Sequence, residues 1–482
     1  VTPLLEGVSV AGLTCAVVLP WLTGVFLSRL LVPGAPLTLI LGHGYLLGQL
    51  LVIALLLAWD GLGLTLAWTP LALSMLTVLL LAATAAWRRG CEEPGRGAPA
   101  RRAALAPTDA LWLVPLLGFV VLRGSSLAET ALLQPLFAWD AWMNWAPKAV
   151  VWFEHGSLTP FVNPEDWLQA PQGTERYTLG NPPAAEYPPG VPLLLLWHML
   201  GADSADHTLI YLGWLLLPVA VSLSLWGHLR LLACSRPLAA LGIYLLISMP
   251  LLATHVALPG YADLWLGCAF SLGAMALHGW QSTGRAGFLG LTLCMALLCA
   301  LFKNPGLGFG LLLVAGAVIA RSPGLRVASL CAALAGFVLV LIGLLAGLHP
   351  GAVSVVETLP ALPLPGALPD LQLQLSPLLP HLGEAFFGLG NWHLLAVLLP
   401  ATLALRIYSH GLTGLADTAV VLLLAGVGLL LTVFGFTQYA GSVESGVTFH
   451  RAFLYVAPLA VFVAVYCLGD AWAALGHQHR TR

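Results

Sequence analysis

Runs of about twenty apolar residues follow one another along this chain, each long enough to cross roughly 30 Å of hydrocarbon as a helix. In hydrocarbon the backbone must satisfy its own hydrogen bonds, so unbroken runs of this kind close into helices. Thirteen spans are expected, at 8–28, 37–58, 64–87, 107–123, 208–228, 237–254, 262–280, 286–302, 306–320, 327–347, 388–405, 414–436 and 452–473. Only 8% of the 482 residues are charged, against about 25% in soluble domains, and the expected fold class is an all-α polytopic integral membrane protein. The eight cysteines fall mostly in apolar segments with neither CxxC nor Cys/His metal spacing, which reads as small core residues. Residues 1–31 lack a basic leader and a small-residue cleavage site, so no cleavable signal is expected.

The segment 190–200, "GVPLLLLWHML", is too short to span alone and is expected to be a re-entrant or interfacial helix. With it left out of the count, Arg29, Arg88, Arg89, Arg96, Arg101, Arg102, Arg230, Arg236, Arg285, Arg321, Arg326, Arg406, Arg480 and Arg482 share one side, fourteen of the nineteen basic residues. Excess arginine marks the cytoplasmic side. Counting 190–200 as a span would move Arg230, Arg236 and Arg285 outside, a poorer fit. The organisation that follows is a three-helix segment (1–87), a cytoplasmic linker (88–106) rich in Arg, Gly and Pro, and a transmembrane core (107–482). That core holds a long external loop with the short helix (124–207) and a second external loop, 348–387, whose Pro-rich run suits a semi-rigid flap. The expected location is a bacterial plasma membrane with the polar loops outward.

The first external loop opens with "AWDAWMNWAPK" at 138–148. At about 100° per residue, Asp140, Asn144, Lys148 and His155 share a helical face, while Trp142, Trp145, Trp152 and Phe153 share the opposite one. This suits a helix lying at the interface, rings in the headgroup layer and charges toward water. Pro147 breaks it or starts a second short helix. The same side of the membrane carries Glu186 and Tyr187 in "AAEYPPG", His255, Tyr261 and Asp263 in "THVALPGYADLW", Lys303 and Asn304 in "LFKNPG", and His450 and Arg451 in "GVTFHRAFLYVAP". Each has a plainer reading: interfacial anchoring for the tryptophans, helix capping for Asp263, snorkelling for Lys303 and Arg451, packing for the histidines. Ionisable groups at bilayer depth cost on the order of 2.5–3.5 kcal/mol each, which makes them candidates for function.

The order of these motifs resembles the GT-C superfamily of membrane glycosyltransferases. "WD" in a first large external loop, an acidic residue before "PP" and a short apolar helix, "GADSAD" leading into the next span, and "HVALPGYAD" at the following turn are similar to the lipid A aminoarabinose transferases and protein O-mannosyltransferases. The resemblance covers about residues 107–310. It implies a GT-C-like core with interfacial helices, and it maps the first-loop acidic residue, catalytic base or acceptor-orienting group, onto Asp140. The acidic position before "PP" maps onto Glu186 and the second external acidic motif onto Asp263. Tyr187 stands where the aminoarabinose branch commonly carries a lysine, and the acidic pair of the first loop is reduced to Asp140.

Chemistry leads to the same place. A sugar donor on the external side is not a cytosolic nucleotide sugar; a polyprenyl-phosphate-linked sugar within the bilayer is the natural one. Its phosphate leaves without being protonated, so transfer needs one carboxylate base, Asp140, rather than the two a glycosidase uses. It also needs cations on the developing phosphate charge, and Arg451, Lys303 and Lys148 are the candidates. Glu186, Tyr187, His255, Asp263, Asn304 and His450 complete the expected binding set. Asp140, Glu186 and Asp263 with His255 offer, as an alternative, oxygen and nitrogen ligands for a divalent cation. The acceptor is a glycolipid, glycan or protein, membrane lipids surround the chain, and no nucleic-acid partner is expected. "GLGFG" at 306–310 sits in an apolar run and reads as close helix packing. Two other functions remain open: a secondary transporter or lipid flippase, which would bury its charges near the midplane, and a ligase or polymerase of lipid-linked glycans.

Overall fold

The computed structural model describes residues 6–92, 107–171, 173–348 and 372–481. Among these residues there is no strand, and the only pairings of strand type are two isolated bridges, Phe161 with Tyr177 and Leu373 with Thr437. In chain order the helices are α1 (Val10–Leu31), α2 (Leu37–Gly61), α3 (Trp68–Glu92), α4 (Pro107–Leu133), α5 (Ala146–His155), α6 (Pro164–Leu168), α7 (Gly190–Ala202), α8 (Leu212–Leu231), α9 (Arg236–Ser248) and α10 (Pro250–Ala257). Then come α11 (Asp263–Thr283), α12 (Ala286–Phe302), α13 (Gly306–Ala320), α14 (Pro323–Ala346), α15 (Leu379–Gly383), α16 (Leu395–His410), α17 (Thr418–Phe436), α18 (Gly441–Ser445), α19 (Val447–Phe453) and α20 (Ala457–Thr481). Eight of these, α1, α2, α3, α4, α8, α14, α17 and α20, are long and apolar enough to cross a membrane, and α9 with α10 makes a ninth as one bent span. The chain is an all-α integral membrane protein.

Of the thirteen expected spans, those at 262–280, 286–302, 306–320 and 388–405 fall on helices that are not among these crossing helices, and several others differ from the forms expected. α4 does not stop at 123; it runs on to Leu133, so the first polar loop begins ten residues later and Arg123 lies inside a helix. The span expected at 237–254 is two helices bent by 60°, because Pro250 cannot continue a helix and biases Met249 to extended backbone. The one expected at 388–405 starts at Leu395 instead. Residues 93–106 of the linker and 349–371 of the flap lie outside the described residues.

The largest departure is α7. It does not lie at an interface with one face open, because all thirteen of its residues are buried. A helix apolar on every side has no face for water and belongs in a core. Here it packs among α1, α2 and α5, pinned by the Trp197 indole, which donates to the Ala16 carbonyl at 2.8 Å. α1 and α2 meet closely through glycine, since a Cβ on Gly24 would lie 1.9 Å from the Gly44 carbonyl oxygen, the small-residue contact that packs helices in lipid. The outer helices show the complementary pattern: α4 exposes Leu111, Trp112, Val114, Leu117, Val121 and Leu122, an apolar surface suited to acyl chains.

Candidate functional site

The expected loop helix exists in altered form. Asp140 stands immediately before a π turn, Ala141–Trp145, and α5 follows with Pro147 in its first turn, the break that the proline predicts. Its packing, however, differs from the one expected: most of the polar face and part of the aromatic face turn inward, and His155 alone of the polar face is exposed. Asp140, Asn144 and Lys148 are buried, as are Trp145 and Trp152, while Trp139 and Trp142 are exposed. The polar face turns into the protein because partners wait there: Asn181 donates to Asn144 at 2.9 Å, and the Lys148 ammonium donates to the carbonyls of Ala185 at 3.0 Å and Tyr187 at 3.4 Å.

A second turn meets this loop. Gly260 has φ +110, and a Cβ there would lie 2.3 Å from the Cβ of Ala141. Only glycine supports both the left-handed backbone and the close approach. The contact sets Asp140 beside the start of α11, where Asp263 is the first helical residue. Trp214 holds the same turn by donating to the Tyr261 carbonyl at 2.9 Å.

Four charges from four separate segments close the cluster. Arg451, in α19, donates from Nε and Nη2 to Asp263 Oδ2 at 3.3 and 2.7 Å, and from Nη1 to Asp140 Oδ1 at 3.4 Å. Its Nη2 also meets Asp140 Oδ2. Lys303, at the end of α12, donates to Asp263 Oδ1 at 2.7 Å, and the Tyr455 hydroxyl donates to the same oxygen at 2.8 Å. The guanidinium carbon of Arg451 lies 4.3 Å from the centre of the Tyr261 ring, within cation–π range. Burial opposes the Arg451 charge, but Asp263 and then Asp140 outweigh it and hold the group more firmly protonated.

The other expected site residues take lesser or separate places. His255 donates from Nδ1 to the Leu251 carbonyl at 2.8 Å, packs its ring 5.0 Å from Tyr261, and leaves Nε2 buried with no partner among the described residues. His450 faces Asn391 at 3.3 Å, and burial pushes its imidazole down. Lys148 is tied to backbone carbonyls rather than to the cluster, and burial lowers its ammonium to about 8. Glu186 is exposed beyond the cluster, Tyr187 packs on Trp145 at 5.5 Å, and the Asn304 carbonyl accepts from Leu307 in the turn before α13. Among the described residues no three His, Cys, Asp or Glu side chains gather to hold a metal ion.

Two features escaped the sequence reading. Tyr455 lies four residues after Arg451, the spacing that places two side chains on one helical face; that was the available signal. The second is a polar network at the arginine-rich end, where His278 Nδ1 donates to Asp417 at 3.0 Å and Gln281 to the same carboxylate at 3.1 Å. Arg406 joins Gly414, Tyr466 and Asp470 nearby. A groove of about 620 Å³ along α3, lined by Thr77, Thr84, Arg88 and Arg89, also belongs to that end and is no part of the four-charge cluster.

Set against family models, curated proteins and solved structures, the chain matches none.

Proposed function

We propose that this protein is a membrane glycosyltransferase of GT-C-like architecture, with thirteen membrane crossings, that moves a sugar from a polyprenyl-phosphate-linked donor to a glycolipid, glycan or protein on the external face of a bacterial plasma membrane. The observation that supports it most is Arg451 bracketed by Asp140 and Asp263 with Lys303 beside it. This puts cations for a phosphate and a carboxylate for a hydroxyl within one side chain's width. In the reaction, Asp140 takes the proton of the acceptor hydroxyl while its oxygen bonds to the anomeric carbon. The bond from that carbon to the donor phosphate oxygen breaks, and the lipid phosphate leaves with the electron pair. Arg451 and Lys303 stabilise the charge that gathers on it, in surroundings where water does little screening.

The decisive experiment compares envelope glycolipids and glycoproteins by mass spectrometry from cells with and without the protein. Loss of one glycan modification, restored by the unmodified gene and not by Asp140→Asn, is the expected outcome. An unaltered glycan profile together with altered lipid or solute distribution across the membrane would replace this reading with a transporter or flippase.

A further inference from the structure

Arg451 is held by two carboxylates that the structure treats differently. Asp263 is only 1% exposed, and its oxygens are occupied by Lys303, Tyr455 and Arg451 at 2.7, 2.8 and 2.7 Å. Asp140 precedes a π turn, a helical irregularity common at functional sites, and among the described residues Arg451 is its only side-chain partner. Arg451 engages both oxygens, so each already accepts from the guanidinium. Exposure follows the same order, since Arg451 and Lys303 keep 16% and 17% of their side chains open, more than either carboxylate. An arriving anion therefore meets the two cations first. The cluster already balances two negative charges with two positive ones, so the anion must replace a carboxylate or leave the site with excess negative charge.

From this asymmetry we infer that the two carboxylates have separate tasks. Asp263, fixed by Tyr455 and Lys303, is a positioning residue that aims Arg451. Asp140 is an exchangeable partner that a phosphate group displaces. The inference rests on the phosphate-binding reading of Arg451 and adds an order of events: the base is released by the donor. A hydroxyl that arrives first finds both Asp140 oxygens engaged; once phosphate takes the guanidinium, the carboxylate is free to accept a proton.

Binding of a short-chain polyprenyl monophosphate to the detergent-solubilised full chain tests this, with the alcohol of the same chain length in parallel. Asp140→Asn removes the competing charge and is expected to bind the phosphate about tenfold more tightly. Asp263→Asn is expected to bind it about tenfold more weakly, and Tyr455→Phe about threefold more weakly, because Arg451 is no longer aimed. Opposite signs at two neighbouring carboxylates cannot arise from a general loss of folding. Unchanged or weaker phosphate binding by Asp140→Asn, in protein that still binds, overturns the exchange and leaves the phosphate reading standing. Equal tightening by both Asn variants, or tightening toward the alcohol as well, also overturns it. Failure of every form, the unmodified chain included, to bind the phosphate removes the reading and the inference together.

Discussion

The two ends of α11 place similar groups in opposite circumstances. At its start Asp263 meets Lys303, Arg451 and, through Arg451, Asp140. Fifteen residues on, about 22 Å at 1.5 Å per residue, His278 meets Asp417. Among the described residues Asp417 has three partners: it accepts from His278, from Gln281, and from the Ala419 backbone N–H as the cap of α17. Arg406, close by, is likewise shared among the Gly414 carbonyl, the Tyr466 hydroxyl and Asp470. That network gives each of these charged groups several partners and joins α11, α16, α17 and α20. The cluster at the other end is assembled from turns and helix ends, and among the described residues Asp140 depends on one side chain. A buried ion pair whose members have further partners acts as a staple, while one member held by a single charge can be exchanged. The difference lies in how many other groups each carboxylate satisfies.

The comparison is sharpest at Asp417. Asp417→Ala removes a helix cap and leaves His278 and Gln281 without their acceptor, and should cost about 3–5 kcal/mol of stability. Thermal unfolding in detergent measures it, and surviving folded protein should bind polyprenyl monophosphate as the unmodified chain does. Loss of that binding in the folded variant would mean the two ends are not separate.

Asp140→Asn should show the converse. Shape is kept and the proton acceptor is lost, so turnover of the proposed sugar transfer by purified protein should fall by about 10²-fold or more, with an unfolding midpoint close to normal. Glu154, exposed on the same loop, is the internal control, and Glu154→Gln should change stability by no more than about 0.5 kcal/mol and leave turnover alone. Near-normal transfer by Asp140→Asn would end the catalytic assignment.

Lys148 supplies the smallest and most specific test, as a cation beside the site that behaves as a staple. Burial brings its ammonium from 10.5 to about 8. The unfolded chain therefore binds more protons between those values, and stability should rise with pH across that window, by about 3 kcal/mol. The gain is absent below pH 8 and complete above 10.5. Lys148→Met should flatten the rise without abolishing phosphate binding. A variant that keeps the rise would place its origin in another group.

Much of this was legible in the chain. Apolar runs set the helices, because lipid accepts little else, and the motifs "WDAW", "GYADLW", "LFKNPG" and "FHRAF" named four residues that the structure brings together: Asp140, Asp263, Lys303 and Arg451. What failed did so for identifiable reasons. The helical wheel separated the polar and aromatic faces at 138–155 but had no means of saying which faced water, since Asn181 and the carbonyls of 185 and 187 that draw the polar face inward lie about forty residues away. The length of α7 argued for an interfacial helix, whereas its company buried it on all sides. Asp417 was visible as a polar residue before an apolar run, yet its pairing with His278 spans 139 positions.

The sequence alone therefore determined the solvent of this protein, the helical state of its backbone and the short list of charges too costly to be idle, because each follows from the transfer of single residues or local runs out of water. Tertiary structure alone decided which of those charges meet, which have several partners and which remain exchangeable. Arg451 lies 311 residues from Asp140 and 188 from Asp263, and the approach of Gly260 to Ala141 that seats Asp140 beside α11 is a contact between two turns. Pairing energies depend on distance and on competing partners, and neither exists until the chain has folded.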